Sequence, residues 1–161
     1  MRIAVLAATF LLGASGALAA PAVVTVSISP DLQTKAERTY GVDDVTRLAD
    51  DLRLHVERAL ARSGARADER LELVLNDVAP NRPTFKQLGD RPGLSMESFG
   101  VGGASFTGRI VGADGVATPV AYRWYESDIR QAVGTAPWSD AERAIDRFAS
   151  RLARVEKLAQ R

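Results

Sequence analysis

The sequence predicts an α+β fold, a two-layer sandwich in which two helices cover one face of a four-stranded sheet, in the order β-α-β-β-β-α. Four short segments alternate apolar and polar side chains as strands do, and two longer segments repeat apolar residues with a period of about 3.6. The dipeptide Asp114-Gly115 separates the last two strand-like segments. Because two amphipathic helices need an apolar sheet face to cover, this order favours two layers.

The first strand and the first helix are predicted in the N-terminal half of the chain. Residues 23–29 alternate and stop at Pro30, and we expect residues 31–42 to be a polar connection. Residues 43–63 carry an apolar stripe typical of a helix, which Gly64 closes. The stripe consists of Val45, Leu48, Ala49, Leu52, Val56, Ala59 and Leu60.

The second strand is predicted over residues 71–76, where Leu71, Leu73 and Leu75 fall on one face. Because a single helix separates the first two strands, we expect them to pair in parallel through a right-handed crossover. Residues 79–103 follow, with three prolines and five glycines. A connection of that length without structure of its own is unusual, and we expect it to be either functional or mobile.

A β-hairpin is predicted over residues 104–126. Asp-Gly favours a tight turn, because glycine adopts positive φ without steric cost. Pro119 cannot donate to a strand ladder, so the second arm is either irregular there or lies at the sheet edge. One face of the second arm carries Val116, Thr118, Val120, Tyr122 and Trp124. We expect the aromatic side chains Phe106, Tyr122 and Trp124 to point into the core.

The second helix is predicted to begin at Ser139. Serine there, with Glu142 three residues later, matches a capping box. The apolar stripe of this helix consists of Ala141, Ile145, Phe148, Leu152 and Val155. Together with the first helix it supplies the apolar layer that the sheet needs.

The N-terminal residues predict export. A basic start at Arg2, an apolar run over residues 3–12 and the sequence Ala17-Leu18-Ala19 match a cleavable secretory signal. We therefore expect a signal peptide over residues 1–19 and a single α+β domain over residues 20–161, in the periplasm. The chain has no cysteine, so a cysteine-linked lipid anchor, disulfides and thiolate metal sites are excluded. After cleavage we expect no stable membrane anchor.

Charge and composition exclude further classes. The chain carries a net charge of +1, and its basic residues are interspersed with acidic ones. A nucleic-acid-binding protein needs a clustered basic face, so we expect no nucleic-acid partner. The mature chain is long enough to bury about two-thirds of its unfolded surface.

Candidates for catalysis and metal binding are few. His55 is the only histidine and lies one helical turn after Asp51, but no nucleophile-elbow pattern accompanies it. A single histidine also disfavours zinc, which usually takes several nitrogen or sulfur ligands. The acidic pairs at residues 43–44 and 50–51 cannot converge on one ion, because adjacent helical side chains diverge by about 100°. We expect no metal site and no cofactor.

The long connection holds two further candidates. The glycine-rich residues 100–103 precede a strand, whereas a phosphate-binding loop opens a helix, so we expect them to let the chain turn tightly into the hairpin. Asp90 and Glu97 could form a carboxylate pair for acid–base catalysis. The sequence does not fix their separation.

The end of the hairpin is the predicted binding site. Arg123, Tyr125 and Glu126, followed by Asp128, combine a base, an aromatic ring and two acids. Arg123 and Tyr125 share the outward face, where a carbohydrate, peptide or protein could stack. The alternative is a cross-strand pair on a solvated face.

Three stretches carry a resemblance to known proteins. Residues 99–108 (FGVGGASFTG), 122–126 (YRWYE) and 138–148 (WSDAERAIDRF) resemble small exported proteobacterial proteins of uncharacterised families, a domain of unknown function. The element order is also similar to small α/β components of envelope assemblies, such as the lipopolysaccharide-transport plug lipoprotein, which is anchored through a cysteine that this chain lacks. The resemblance implies an exported α+β protein and assigns no catalytic residue.

Two hypotheses for function follow. The first is a non-enzymatic periplasmic binding protein, or an accessory protein of envelope assembly, whose partner is an envelope protein or a small ligand. The alternative is a small exported hydrolase that uses carboxylates of residues 79–103. The absence of a catalytic constellation favours the first, and the sequence leaves the ligand and the oligomeric state open.

Overall fold

The computed structural model describes residues 22–133 and 135–159, with side chains described as far as residue 154. The four strands are β1 (Val23–Ile28), β2 (Arg70–Ala79), β3 (Gly103–Val111) and β4 (Ala117–Tyr125). The helices are α1 (Pro30–Lys35), α2 (Val42–Ser63), α3 (Phe85–Asp90) and α4 (Ser139–Ala159). A π-helical turn (Ala36–Tyr40) follows α1, and a 3₁₀ turn (Ile129–Ala132) precedes α4. The predicted signal peptide lies outside the described residues.

The sheet confirms the predicted α+β fold. Its strand order is β1-β2-β3-β4, with β1 and β2 parallel and the other two pairs antiparallel. Helix α2 connects the parallel strands and packs on β1, while α4 packs on β3 and β4 and against α2. No helix among the described residues has the length and apolar content that crossing a membrane requires.

The core lies between the sheet and the two long helices. All seven residues of the predicted α2 stripe are buried, as are the α4 residues Ala141, Ile145, Phe148 and Leu152. The side chain of Val155 lies outside the described residues. At the centre, the ring of Phe148 lies 5.2 Å from that of Phe106 and 5.6 Å from that of Tyr122, centroid to centroid. Trp124 is partly buried beneath Arg147, whose guanidinium lies 4.3 Å from the ring centroid.

The expected polar connection at residues 31–42 is instead largely helical. Ser29 caps α1 by accepting a hydrogen bond from the Leu32 amide, and Pro30 occupies the first turn, where its missing N–H costs nothing. Leu32, Ala36 and Tyr40 point into the core. Three buried positions spaced four residues apart are its only periodic signal, and the polar residues between them predicted a loop.

Strand β2 extends beyond the predicted residues 71–76 because it contains a β-bulge. Its register against β3 shifts between Leu75 and Asp77. Strict alternation would direct Asp77 into the core, but the extra residue turns it outward and returns Val78 to the buried face. The bulge is therefore what allows an aspartate to follow the leucines within one strand.

The predicted hairpin forms, with one correction at its tip. Gly115 has φ of 79°, and the Gly112 amide donates to the Val116 carbonyl at 3.0 Å. Val116 belongs to this turn and is 61 % exposed, so it does not share the core-facing row of β4. Pro119 lies on the terminal strand of the sheet, as its missing donor predicted.

The capping box predicted at Ser139 is absent, whereas another occurs inside the long connection. The Ser139 hydroxyl accepts from the Ala136 amide, and the Glu142 amide donates to the Trp138 carbonyl. Thr84 and Gln87 form a reciprocal capping box that begins α3. Threonine followed three residues later by glutamine was the signal in the sequence, but the surrounding prolines and glycines indicated a loop.

Candidate functional site

One face of the sheet carries two of the three predicted binding residues, Arg123 and Tyr125. On this face, which we call the open face, the outward side chains of the strands are exposed or half-exposed, in contrast to the buried leucines of β2. Its residues include Thr25, Ser27, Glu72, Val74, Asp77, Thr107, Arg109, Ala121, Arg123 and Tyr125. The face is mostly polar, which suits contact with water or with a polar partner.

At one end of the open face, four side chains from three elements form a continuous row. The Tyr125 hydroxyl donates to one carboxylate oxygen of Asp77 at 2.7 Å, and the Lys35 ammonium donates to the other at 2.8 Å. The guanidinium of Arg123 lies over the Tyr125 ring, 5.1 Å from its centroid. The β-bulge places Asp77 where Lys35 and Tyr125 both reach it.

The electrostatics of this row fix the protonation of the phenol. Burial, together with the hydrogen bond to Asp77, raises the pKa of Tyr125 to about 12. Burial opposes the charge on Lys35, but its bond to Asp77 and its contact with Tyr40 leave the pKa of the ammonium raised. The native state therefore holds the phenolic proton more tightly than a free tyrosine does, and the neutral hydroxyl donates to Asp77.

The structure brings together two of the three predicted binding residues. Arg123 and Tyr125 lie side by side on the open face, whereas Glu126 does not join them. The Glu126 side chain is 16 % exposed, and its carboxylate lies 3.7 Å from Arg143 of α4 and accepts from the amides of Ser127 and Asp128. It shapes the turn after β4, and Asp128 forms an ion pair with Arg130 in the same turn.

A second charged cluster on the open face escaped prediction from the sequence. Glu72 lies between Arg70, at 2.9 Å, and Arg109, at 2.6 Å. The hydrogen bond from Arg109 is the main reason that the pKa of Glu72 is lowered. Arg109 and Glu72 are cross-strand partners in the β2–β3 register, which could not be read from either strand alone.

The candidates for catalysis do not converge. His55 contacts Asp146 on α4 at 2.5 Å, while Asp51, its expected neighbour, pairs with Arg47. Asp90 accepts from Lys86 on the exposed side of α3, and no contact between Asp90 and Glu97 is found among the described residues. The same part of the chain holds no group of three or more His, Cys, Asp or Glu residues that could bind a metal ion.

The long connection is anchored by a buried polar pair. The Asn81 side chain donates to the Asp140 carboxylate at 2.5 Å and accepts from the Asp140 amide at 2.8 Å. The same carboxylate accepts from the Gly102 amide at 3.0 Å. A Cβ at residue 102 would lie 2.6 Å from the Ala79 carbonyl oxygen, so the close approach requires glycine. Asp140 thus holds both ends of the long connection, at Asn81 and at Gly102.

An apolar cleft of about 190 Å³ lies where this connection meets the first turns of α2 and α4. We call it the loop cleft. Its walls come from Pro83, Thr84, Phe85, Met96, Ala136, Pro137 and Trp138, and its rim from Asp44, Arg47 and Glu142. Arg82 stabilises one wall by donating to the carbonyls of Thr135 and Met96. No sequence motif marks the cleft, because three separate segments build it.

Comparison with known proteins assigns neither a family nor an activity. No protein-family model matches the chain, and no curated protein matches it. Among solved structures, a minor lipoprotein from Acinetobacter baumannii is 12 % identical, with 89 % of this chain and 96 % of that chain covered and a TM-score of 0.42. A protein from Caulobacter crescentus described as a lipoprotein is 17 % identical, with 84 % and 85 % covered and a TM-score of 0.29. Likeness at these TM-scores carries no argument about function.

Proposed function

We propose that the protein is exported to the periplasm and acts there as a non-enzymatic binding protein that assists envelope assembly. Export rests on the basic start, the apolar run and the Ala17-Leu18-Ala19 sequence. The binding surface is the open face, and the partner is a protein segment that presents carboxylates. The observation that carries this proposal is the guanidinium of Arg123, exposed and held in place over Tyr125.

The guanidinium of Arg123 is oriented by Tyr125 and available to bind a partner outside the described residues. No carboxylate of the described residues pairs with it, in contrast to Lys35, Arg70 and Arg109 on the same face. Stacking on Tyr125, itself fixed by Asp77, restricts the guanidinium before binding and so lowers the ordering cost of binding. A planar guanidinium suits a carboxylate, which accepts two parallel hydrogen bonds from it.

The rest of the open face supports an acidic partner. Its two charged clusters hold four basic and two acidic side chains, Lys35, Arg70, Arg109 and Arg123 against Glu72 and Asp77. Strand β4 is terminal, but Pro119 removes a backbone donor from its middle, which disfavours strand addition. At this edge, recognition through side chains on the face is therefore favoured over strand pairing.

The hydrolase alternative gains no support. Asp90 is exposed and engaged by Lys86, and Glu97 is exposed. A general acid or base needs a position where burial or a neighbouring charge adjusts its pKa. Neither carboxylate is buried and neither contacts the other, so the binding hypothesis is favoured.

The test is affinity capture from a periplasmic extract with the wild-type protein and an Arg123→Ala/Tyr125→Phe double variant. The conservative Tyr125→Phe change keeps the ring and removes the hydroxyl that bonds to Asp77 and Ser105. We expect a discrete partner to be retained by the wild type, released by moderate salt because charges dominate the contact, and lost by the double variant. Arg151→Ala, which removes an exposed arginine of α4, is the matched control. Full retention of the partner by the double variant would contradict the proposal.

A further inference from the structure

The loop cleft lies apart from the open face and has the features of a second binding site. We propose that it docks a peptide segment that presents one bulky apolar side chain next to a lysine or arginine. The inference is independent of the proposed function, because it rests on other residues. Its basis is the size of the cleft, the exposed apolar side chains around it and the unbalanced charge of its rim.

The volume of the cleft limits what it can hold. At about 190 Å³ it is smaller than the roughly 300–1,000 Å³ that drug-sized ligands occupy. It has room for a single large side chain. Trp138 and three prolyl or alanyl residues make most of its walls apolar, so an aliphatic or aromatic group fits and a polar one does not.

Two large apolar side chains at the cleft are exposed to solvent, and a bound partner would cover them. Phe85 is 85 % exposed and Met96 is 59 % exposed. Hydrogen bonds order the backbone at both residues. The Thr84 capping box fixes the start of α3, where Phe85 lies, and Arg82 donates to the Met96 carbonyl. Exposed aromatic and methionine side chains on an ordered frame are typical of interaction sites.

The rim selects a cationic neighbour for the docked side chain. Arg47 is already shared between Asp51 and Glu142, at 3.0 and 3.4 Å. Asp44 lines the cleft half-buried, and no hydrogen bond or ion pair to its carboxylate is found among the described residues. The first turn of α2 stabilises this anion through the helix dipole, yet leaves its oxygens available. A lysine or arginine beside the docked side chain would complete the pair.

The test is a titration of the isotope-labelled protein with short capped peptides, followed by amide and indole proton–nitrogen correlation spectra. The probe is acetyl-Gly-Lys-Phe-Lys-Gly-amide. One comparison peptide replaces both lysines by glutamate, and another replaces phenylalanine by serine. We expect saturable shifts of the Trp138 indole and of residues around the cleft with the probe, and affinity reduced at least about fivefold with either comparison peptide.

Matched variants separate the site from a general effect of charge or exposure. Asp44→Asn should weaken the probe about two- to fivefold, the size of an exposed ion pair, whereas Asp43→Asn on the exposed side of α2 should not. Phe85→Ala should weaken it about fivefold or more, whereas Phe99→Ala, at an exposed phenylalanine outside the cleft, should not. Neither Asp44 nor Phe85 supports the core, so the variants should remain folded.

Three outcomes would overturn the inference. One is the absence of saturable shifts, and another is equal binding of the lysine and glutamate peptides. The third is self-association: sedimentation that shows a dimer lost in Phe85→Ala would assign the cleft to a second copy of the chain. If the affinity capture that depends on Arg123 and Tyr125 failed, peptide binding in the loop cleft would not be affected. The two proposals can therefore be rejected independently.

Discussion

Asn81 and Asp140 form a reciprocal pair of hydrogen bonds that joins the segment after β2 to the first turn of α4. Both residues are buried, and the Asp140 carboxylate also accepts from the Gly102 amide and from Arg143 at 2.9 Å. One carboxylate therefore holds the two ends of the long connection and the start of a helix. Such a fully bonded buried group stabilises a fold only while every partner remains.

We predict that Asp140→Ala lowers the free energy of unfolding by about 2–4 kcal/mol. The change strands the Asn81 amide and the Gly102 N–H in a buried place, where each lost partner costs about 1–3 kcal/mol. Urea unfolding followed by circular dichroism measures the loss. Asp50→Ala, at an exposed aspartate of α2, is the control and should change stability by less than about 0.5 kcal/mol. Equal effects of the two substitutions would show that the buried pair does not anchor the connection.

We predict that a methyl group is tolerated at residue 100 and rejected at residue 102. A Cβ at Gly102 would lie 2.6 Å from the Ala79 carbonyl oxygen and 2.9 Å from Asn81 Oδ1, whereas nothing lies within 4 Å of one at Gly100. Gly102→Ala should therefore cost about 1–3 kcal/mol, because the overlap displaces backbone. Gly100→Ala should leave the thermal unfolding midpoint nearly unchanged. A stable Gly102→Ala protein would mean that the connection is not held as described.

We predict that Phe148→Ala lowers stability by about 3–5 kcal/mol, whereas Phe85→Ala changes it by less than about 0.5 kcal/mol. Phe148 is 1 % exposed and packs against the rings of Phe106 and Tyr122, while Phe85 points into solvent. Both substitutions remove the same atoms, so their difference measures burial alone. Similar losses from both would contradict the placement of α4 on the sheet.

We predict that Tyr125→Phe lowers stability by about 1 kcal/mol near neutral pH, because Asp77 loses a donor. It should also alter the alkaline limb of the stability profile. The folded pKa of about 12 lies above the ordinary value of 10.0, so the native state holds this proton more tightly than the unfolded chain does. The resulting stabilisation is complete below pH 10 and is lost as the pH rises through about 12.

The difference between wild type and Tyr125→Phe isolates this effect, because Lys35, whose pKa is also raised, is present in both proteins. Denaturation at several alkaline pH values, together with ultraviolet difference absorbance of the phenolate, measures it. If the wild type and the variant lost stability in parallel between pH 10 and 12, the Tyr125–Asp77 bond would not be present in solution.

The long elements of the fold were predictable because their signals are local and repeated. The stripe of α2 and the Asp114-Gly115 turn each needed only neighbouring residues, and both are confirmed. Helix α1 was missed because its signal is one capping serine and one proline before a single buried residue, Leu32. The bulge in β2 was missed because it changes the alternation only once. The position of Asp77 depends on the pairing of β2 with β3, and its partner Tyr125 comes from β4.

Only the part of the candidate site that lies within one strand could be predicted, because strand alternation is a local pattern. Alternation placed Arg123 and Tyr125 together, and by the same rule Glu126 follows Tyr125 onto the opposite side, near Arg143. The partners of Tyr125 and Glu72 come from register, and the loop cleft comes from the packing of segments about 40 residues or more apart. Neither kind of relationship leaves a pattern in a single sequence.

Site-specific photocrosslinking in periplasmic extract tests most directly whether the open face binds a partner through Arg123. A photoreactive benzoylphenylalanine replaces exposed Ala121, which faces Thr107 on the open face, or exposed Ser150 on the outer side of α4. We expect a discrete adduct from position 121 that disappears when Arg123 is replaced by alanine, and none from position 150. An adduct from position 150 alone, or one from position 121 that is indifferent to Arg123, would contradict it.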